Sequence, residues 1–297
     1  MRLSAPFACG LRAARRRPGL VVLVYLVSLV PTLLVALPAW EDLFDGLGHS
    51  PFAAEALTGN RFGVWQDLSA DPKADLSGAL GAFLAVGLLV AVAQVLVSAG
   101  LVEVLFFREP RGEHPFLLGI GRHGWAFLRS AVWFGVAALA LRSLAVMGFD
   151  LVTDRAAALG DARLQLWGWG AVLVVALALF AALDLAYDLA RVAAAAHGDR
   201  RTLRGFLAAL VHTLRHPLRL GSLWGAFAAA AAVAATGLLA VHGALSTTGP
   251  AELAALAALQ QALFLGLAWL RVAFWGAEIG YYQAVGEPRW CARPAAP

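Results

Sequence analysis

The chain has 297 residues, of which 61% are hydrophobic and 14% are charged, and its formal net charge is +4 at pH 7. So few charged groups cannot cover a soluble domain of this length, and the composition therefore excludes an ordinary water-soluble fold and indicates an integral membrane protein. The two cysteines, Cys9 and Cys291, lie near opposite ends without the spacing of a metal site, which argues against a disulfide framework or a zinc centre.

Apolar segments long enough to cross a membrane recur along the chain. A spanning helix needs about 20 mostly apolar residues. Segments of this kind lie near 19–39, 79–105, 130–149, 164–190, 220–243 and 252–279. Alanine, leucine and valine dominate them without the alternation of a strand, so each is predicted to be a helix that satisfies its own backbone hydrogen bonds. The predicted fold is an all-α polytopic bundle of six spans, a single membrane domain over residues 1–297.

Positive charge alternates between the connections and predicts the orientation of the bundle. Arginines concentrate before the first span, between the second and third, and between the fourth and fifth: Arg2, Arg12, Arg15, Arg16, Arg17, Arg108, Arg111, Arg122, Arg129, Arg191, Arg200, Arg201, Arg204, Arg215 and Arg219. Because retained positive charge marks the cytoplasmic side, both termini are predicted to be cytoplasmic in a bacterial inner membrane. The mainly acidic segment 40–78 is then an outer loop, predicted to cover the bundle as a lid because it is too short for a core of its own.

Three cytoplasmic approaches to the odd-numbered spans look alike. They read FACGLRAARRRPGL from Phe7, FLLGIGRHGWAFLR from Phe116 and FLAALVHTLRHPLR from Phe206. Apolar residues at helical spacing stand against basic or histidine positions, as is typical of an amphipathic helix in the interface that contacts anionic lipid headgroups. A possible consequence is three like-oriented repeats, near 7–107, 116–197 and 206–284. The alternative is that any arginine-rich connection beside lipid looks amphipathic.

The aligned segments also agree in where the chain turns into the membrane. Eleven residues after the aligned phenylalanines come Pro18, Phe127 and Pro217. Proline favours a break between an interfacial helix and the span that follows, because it lacks a backbone N–H and restricts the residue before it. The middle unit has no proline here and departs from the rule.

Ionisable residues inside spans are costly and are therefore the candidate functional site. They are Glu103, Arg142, Asp184, Asp188, Arg191, Arg271 and Glu278. Helical spacing puts the two aspartates and Arg191 on one face, and Arg271 and Glu278 on another, which predicts a carboxylate and arginine layer near the cytoplasmic face. The alternative is that these are paired structural contacts. Arg142 lies deeper, about 20 Å beyond Arg129 along a helix, and either snorkels outward or faces inward.

The segment DLAYDLARVAAAAHGD, from Asp184 to Asp199, resembles the aspartate-rich helix motifs of CDP-alcohol phosphotransferases and membrane prenyltransferases. In those enzymes carboxylates hold magnesium against a diphosphate. The glycine expected just after the second aspartate is absent, and so is a second carboxylate motif. No metalloprotease, hydrolase or phosphate-loop motif occurs in the sequence, so neither a cofactor nor a metal is predicted. Basic charge at the membrane edges indicates contact with lipid rather than nucleic acid.

The order of interfacial helix, span, outer loop and span, three times over, resembles the six-helix membrane domains of bacterial glycerophosphoryl diester phosphodiesterases and related six-span inner-membrane proteins. The resemblance implies fold and location only, because the catalytic domain of those enzymes is missing. Three functions stay open. The leading one is a non-enzymatic accessory or scaffold subunit that contacts lipid or partner helices. A permease or lipid-handling component comes second, and a membrane-embedded phosphotransferase comes third.

Overall fold

The computed structural model describes residues 4–48, 76–106, 114–198, 201–244 and 250–285. Within these ranges the structure is all-helical. Its helices are α1 (Ser4–Arg16), α2 (Pro18–Gly48), α3 (Leu76–Phe106), α4 (Pro115–Leu159), α5 (Ala162–His197), α6 (Thr202–Arg215), α7 (Pro217–Ala244) and α8 (Pro250–Val285). The predicted all-α class is confirmed, and most of the predicted lid at 40–78 lies outside the described residues.

Five of the helices are long and apolar enough to cross a membrane, which makes the chain a multi-pass membrane protein. Their apolar stretches are Leu84–Phe106, Pro115–Leu159, Ala162–His197, Pro217–Val241 and Ala254–Val285. A sixth span results only if α1 and α2, bent by 81° at their junction, together count as one. The predicted first span, 19–39, falls within α2, whose described side chains end at Leu33.

Prolines separate two of the interfacial helices from the spans that follow them. Helix α1 ends at Arg16 and α2 begins at Pro18, while α6 ends at Arg215 and α7 begins at Pro217. Proline is tolerated at the first position of a helix, where its missing N–H would have no intrahelical partner. The middle segment has Phe127 at the equivalent position, and α4 runs through it without a break. The two segments that contain the proline are therefore each broken into two helices, whereas the segment that lacks it is part of one continuous helix.

The connection between α4 and α5 is only two residues long. Gly160 ends α4 with a φ of 64°, a left-handed conformation that glycine adopts without a Cβ clash. Asp161 then caps α5, because its side chain accepts a hydrogen bond from the backbone N–H of Arg163 at 2.9 Å. Both helices therefore extend beyond the predicted spans at 130–149 and 164–190.

The chain divides into two compact units. Unit 1 comprises Met1–Pro18, Val95–Ala232 and Trp269–Pro297, and unit 2 comprises Gly19–Gln94 and Val233–Ala268. Helices α3, α7 and α8 each continue from one unit into the other without interruption. The single membrane domain predicted over residues 1–297 stays a prediction.

The core of unit 1 is built by the carboxyl-terminal parts of α3, α5 and α8. The stretches 97–103, 185–193 and 272–279 are buried on every side of the helix. A helix buried all round lies inside a bundle rather than on its surface. An apolar cluster within this core joins the three helices to α4: Ala99, Val102, Phe127, Val192, Ala193, Ala195, Ile279 and Tyr282.

Each interfacial segment in unit 1 packs on a different one of these core helices. A Cβ placed on Gly10 of α1 would collide with the carbonyl oxygen of Ala273 in α8. In α4, a Cβ on Gly119 would lie 2.6 Å from the Cβ of Glu103 and 2.9 Å from the carbonyl oxygen of Ala99, both in α3. Helix α6 packs on α5. Small residues permit the close approach of the first two pairs, as at interfaces between membrane helices.

Candidate functional site

Four of the seven predicted polar residues are buried in unit 1: Glu103, Asp188, Arg191 and Glu278. Asp188 and Arg191 lie in α5 and Glu278 lies in α8, each in a stretch that is buried on every side. We call Ser98, Tyr187, Asp188, Arg191, Trp275 and Glu278 the Arg191 cluster. Asp188 and Arg191, three residues apart, share one face of α5 and form an ion pair. The two residues predicted to share a face of α8 differ in burial, because Glu278 is buried and Arg271 is exposed.

Arg191 occupies the centre of this cluster, and its side chain is 4% exposed. It forms an ion pair with Asp188, one turn earlier in α5. Its Nη1 donates a hydrogen bond of 2.8 Å to the Ser98 hydroxyl of α3. The guanidinium carbon lies 4.0 Å from the ring centroid of Tyr187, where the aromatic face attracts a cation. A buried guanidinium is costly unless it is paired, and these contacts supply the pairing.

Glu278 stands beside this pair and is 1% exposed. It interacts electrostatically with Arg191, Asp184 and Arg271. Neither of its carboxylate oxygens has a hydrogen-bond partner among the described residues. The same is true of the Tyr187 hydroxyl. Buried polar atoms in proteins are nearly always hydrogen-bonded. The unpartnered oxygens of Glu278 and Tyr187 therefore make this part of the core unusual.

Glu103 forms a separate buried pair. Its Oε2 lies 3.0 Å from Nε2 of His123, which α4 contributes from its interfacial part. The pair carries compensating charges only when the histidine is protonated. Glu103 was predicted as a site residue from the sequence, whereas His123 was not. The available signal was the position of His123 four residues after Gly119, on the face of α4 that must pack inward.

Asp184 lies at the edge of the core and is half-buried. One of its carboxylate oxygens accepts a hydrogen bond of 3.1 Å from the indole N–H of Trp224 in α7. In the described part of the chain, no three histidine, cysteine, aspartate or glutamate side chains are grouped so as to hold a metal ion. The magnesium hypothesis requires both aspartates to face a pocket open to the cytoplasm, whereas Asp188 is 1% exposed and paired with Arg191.

The two remaining predicted arginines differ in position. Arg271 is exposed, with its guanidinium carbon 5.1 Å from the ring centroid of Trp275, and it contributes to the electrostatic environment of Glu278. Arg142 is exposed on α4 and is not brought to the cluster. The outward orientation is the cheaper one for a lone arginine in a span, because its long stem reaches toward the headgroups.

Two histidine–tyrosine contacts tie the ends of α5 and α6 to α8. Nε2 of His197 lies 2.8 Å from the hydroxyl of Tyr282, and Nε2 of His212 lies 3.3 Å from that of Tyr281. Burial lowers the pKa of His212, and nearby His216 lowers it further. Protonation of His212 is therefore disfavoured in the folded protein.

Unit 2 contains a smaller polar layer inside its helices. The side chain of Gln94 in α3 donates to the Ser28 hydroxyl of α2 at 2.6 Å. The hydroxyl of Tyr25, one turn earlier in α2, donates to Gln261 in α8 at 2.6 Å. Gln94 and Gln261 thus both have hydrogen-bond partners on α2. Hydrogen bonds of this kind hold membrane helices together.

Comparisons with known proteins do not assign the chain to a family. No family model, no curated protein and no solved structure matches it.

Proposed function

We propose that the chain is a non-enzymatic inner-membrane bundle of six spans with cytoplasmic termini, which serves as an accessory or scaffold subunit in contact with lipid or partner helices. One observation carries this proposal: two pairs of ionisable side chains buried inside unit 1 are engaged with each other. Asp188 pairs with Arg191 and Glu103 with His123, all of them buried. A site that turns over a substrate needs groups free to contact it, whereas the Glu103–His123 pair joins α3 to α4, and Arg191 joins α5 to α3 through Ser98.

The outer surfaces of the spans support contact with lipid or other helices. The most apolar part of α4 has no buried residue, and only 6% of the most apolar part of α5 is buried. On α6, an exposed apolar stripe lies opposite the face that packs inward: Leu203, Leu207, Val211 and Leu214. Exposed Arg204 and Arg215 flank it. An apolar stripe beside arginines suits a helix in the interface that contacts anionic headgroups, which are our proposed lipid partners.

Threefold repetition of the bundle, with boundaries near 7–107, 116–197 and 206–284, belongs to the proposal. Gly10, Gly119 and Ala209 each follow the aligned phenylalanines by three residues. All three are buried, and their interfacial segments pack on α8, α3 and α5 respectively. Equivalent small residues in equivalent contacts are what a parallel repeat would produce. These equivalent contacts are also our reason to propose that the bundle resembles the six-helix membrane domains of bacterial glycerophosphoryl diester phosphodiesterases.

Helix α7 offers the best surface for a partner helix. Gly221 and Gly225 form a Gly-x-x-x-Gly pair, and a Cβ on either would meet nothing within 4 Å. Ala229 continues the same face and is exposed. Small residues spaced four apart allow another helix to approach closely.

Site-specific photocrosslinking in native membranes tests the scaffold role. A crosslinker at Ala229 on α7 is compared with one at Val136 on α4, which is 56% exposed. The expected result is a discrete protein adduct from position 229 that disappears with Gly225→Ile, and only lipid adducts from position 136. An unchanged melting temperature of the Gly225→Ile protein serves as the control for folding. Lipid adducts alone at both positions would contradict a role as a protein subunit.

The second candidate function is that of a permease or lipid-handling component. The observation that favours it is the unpartnered carboxylate of Glu278 in the core of unit 1. Reconstituted vesicles that move ions or labelled lipid, and that lose this activity with Glu278→Gln, would support this alternative over the scaffold. The phosphotransferase hypothesis receives the least support, because the ion pair with Arg191 occupies Asp188.

A further inference from the structure

The charges buried in the Arg191 cluster do not balance. Asp188 and Glu278 are each 1% exposed, and among the residues that the structure describes Arg191 is the one buried arginine that interacts with both. Asp188 takes the ion pair with Arg191, so Glu278 is left over. With both carboxylates ionised, the cluster would carry one excess negative charge away from water.

The groups around Glu278 do not remove this excess. From α5 it faces Arg191 and Asp184, and from its own helix it faces Arg271. Arg271 is exposed and Asp184 is half-buried, so these two charges of opposite sign lie at the edge and offset each other. The neighbours that α3 and α4 place against Arg191 are the uncharged Ser98 and Phe127. Glu103 belongs to a separate pair with His123 of α4.

An ionised carboxylate in such a place is held only if it is paired or hydrogen-bonded. Both oxygens of Glu278 lack a hydrogen-bond partner in the ranges that the structure describes. Addition of one proton neutralises the group and removes the excess charge in a single step. The protonated acid also needs fewer partners, because a carboxyl group has one O–H donor and a reduced acceptor demand.

We propose that Glu278 is a buried proton-binding site, and that Arg191 decides which of the two carboxylates, Asp188 or Glu278, is ionised. On release, the O–H bond of the Glu278 carboxyl breaks, its electron pair stays on the oxygen, and water takes the proton. Arg191 then neutralises either carboxylate but not both. Glu278 would hold this proton whether the bundle acts as a scaffold or as a transporter.

Infrared spectroscopy of the full-length protein in lipid nanodiscs tests the proposal directly. The wild type at neutral pH is expected to show the carbonyl band of a protonated carboxylic acid, with the isotope shift of an exchangeable proton in D₂O. Glu278→Gln should lose this band, and Glu103→Gln should keep it because Glu103 belongs to the separate pair with His123. Absence of the band from the wild type, or its persistence in Glu278→Gln, would overturn the proposal.

Thermal unfolding provides an independent measurement. The folded state would hold one more proton than the unfolded state near neutral pH, so the melting temperature of the wild type should fall as the pH rises through the release of that proton. Glu278→Gln, a neutral isostere, should weaken this dependence and Glu103→Gln should not. If Glu278→Gln does not fold, a hydrophobic carbodiimide, which attacks protonated carboxyls in apolar sites, should modify Glu278 in the wild type. Modification elsewhere only would count against the site.

A monovalent cation is the rival source of the missing positive charge. Sodium, potassium and lithium are exchanged for choline at constant ionic strength, and the melting temperatures of the wild type and of Glu278→Gln are compared. The proposal expects no dependence on the cation. Stabilisation of the wild type alone by one of these ions, without an acid carbonyl band, would replace the proton with that ion and refute the assignment.

Discussion

A single methyl group added at Gly119 is expected to disturb the contact between α4 and α3. The new Cβ would lie 2.6 Å from the Cβ of Glu103, 2.9 Å from the carbonyl oxygen of Ala99 and 3.0 Å from the Cα of Gly100. Carbon atoms in favourable contact are about 3.5–4.0 Å apart, so the two helices must separate locally by about 1 Å. Two of the three obstructing atoms belong to the backbone and cannot move away by changing a rotamer.

The loss of stability caused by Gly119→Ala can be isolated by comparison with a matched control in the same helix. Gly121 lies two residues further on, is exposed, and would place its Cβ in open space. Both substitutions by alanine gain helix propensity, about 0.8–1 kcal/mol in a helix interior, and this gain cancels in their difference. What remains is the overpacking at Gly119, about 1–3 kcal/mol. Gly121→Ala is thus expected to be neutral or slightly stabilising, and Gly119→Ala to be less stable by that difference.

Reversible unfolding in detergent micelles, followed by tryptophan fluorescence, measures the two variants side by side. A shift of the Glu103–His123 contact, now 3.0 Å, should accompany the loss of stability, because the added methyl group presses on Glu103 itself. Equal stability of the two variants within about 0.5 kcal/mol, the usual scatter of surface substitutions, would refute the close approach of α4 to α3.

Three further predictions concern the interior charges, the pH response and the topology. Asp188→Asn combined with Glu278→Gln should destabilise the protein by about 3–5 kcal/mol, because Arg191 then stays buried without either carboxylate, whereas Asp188→Asn alone should cost less because Glu278 can ionise and pair with Arg191; thermal unfolding measures this, and an unchanged melting temperature of the double variant would contradict a structural pair. The lowered pKa of His212 means that the unfolded state takes up protons at a higher pH than the folded state, so stability should fall as the pH drops below about 6.5. His212→Asn should reduce this loss, and His114→Asn, a substitution at an exposed histidine, should not. Equal dependence of the melting temperature on pH in the wild type and in His212→Asn would contradict this role of His212. Cys291 should react with an impermeant maleimide only after the cytoplasmic side is opened, as the arginine distribution predicts; labelling from outside would reverse the orientation.

Much of the secondary structure could be predicted from composition and spacing. Apolar runs of about 20 residues predict spanning helices because the bilayer offers the backbone no other hydrogen-bond partners. The proline positions also predicted the breaks at Pro18 and Pro217, whereas the continuous α4 through Phe127 was not predicted. The side-chain period of the helix placed the two aspartates and Arg191 on one face of α5. These features were accessible because each depends on residues close together in the chain.

The contacts of the candidate site were decided by the tertiary structure. The spacing of Asp188 and Arg191 allowed a pair, but the Ser98 hydroxyl that completes it lies 93 positions away in the sequence. His123 is one of two histidines in an arginine-rich segment, and only the packing of α4 on α3 gives it Glu103 as a partner. Arg142 and Arg191 look equally unusual as arginines within apolar helices, yet one is exposed and the other is buried. A sequence pattern fixes which residues share a helix face, whereas the cost of burying a charge depends on what the neighbouring helices bring to that face.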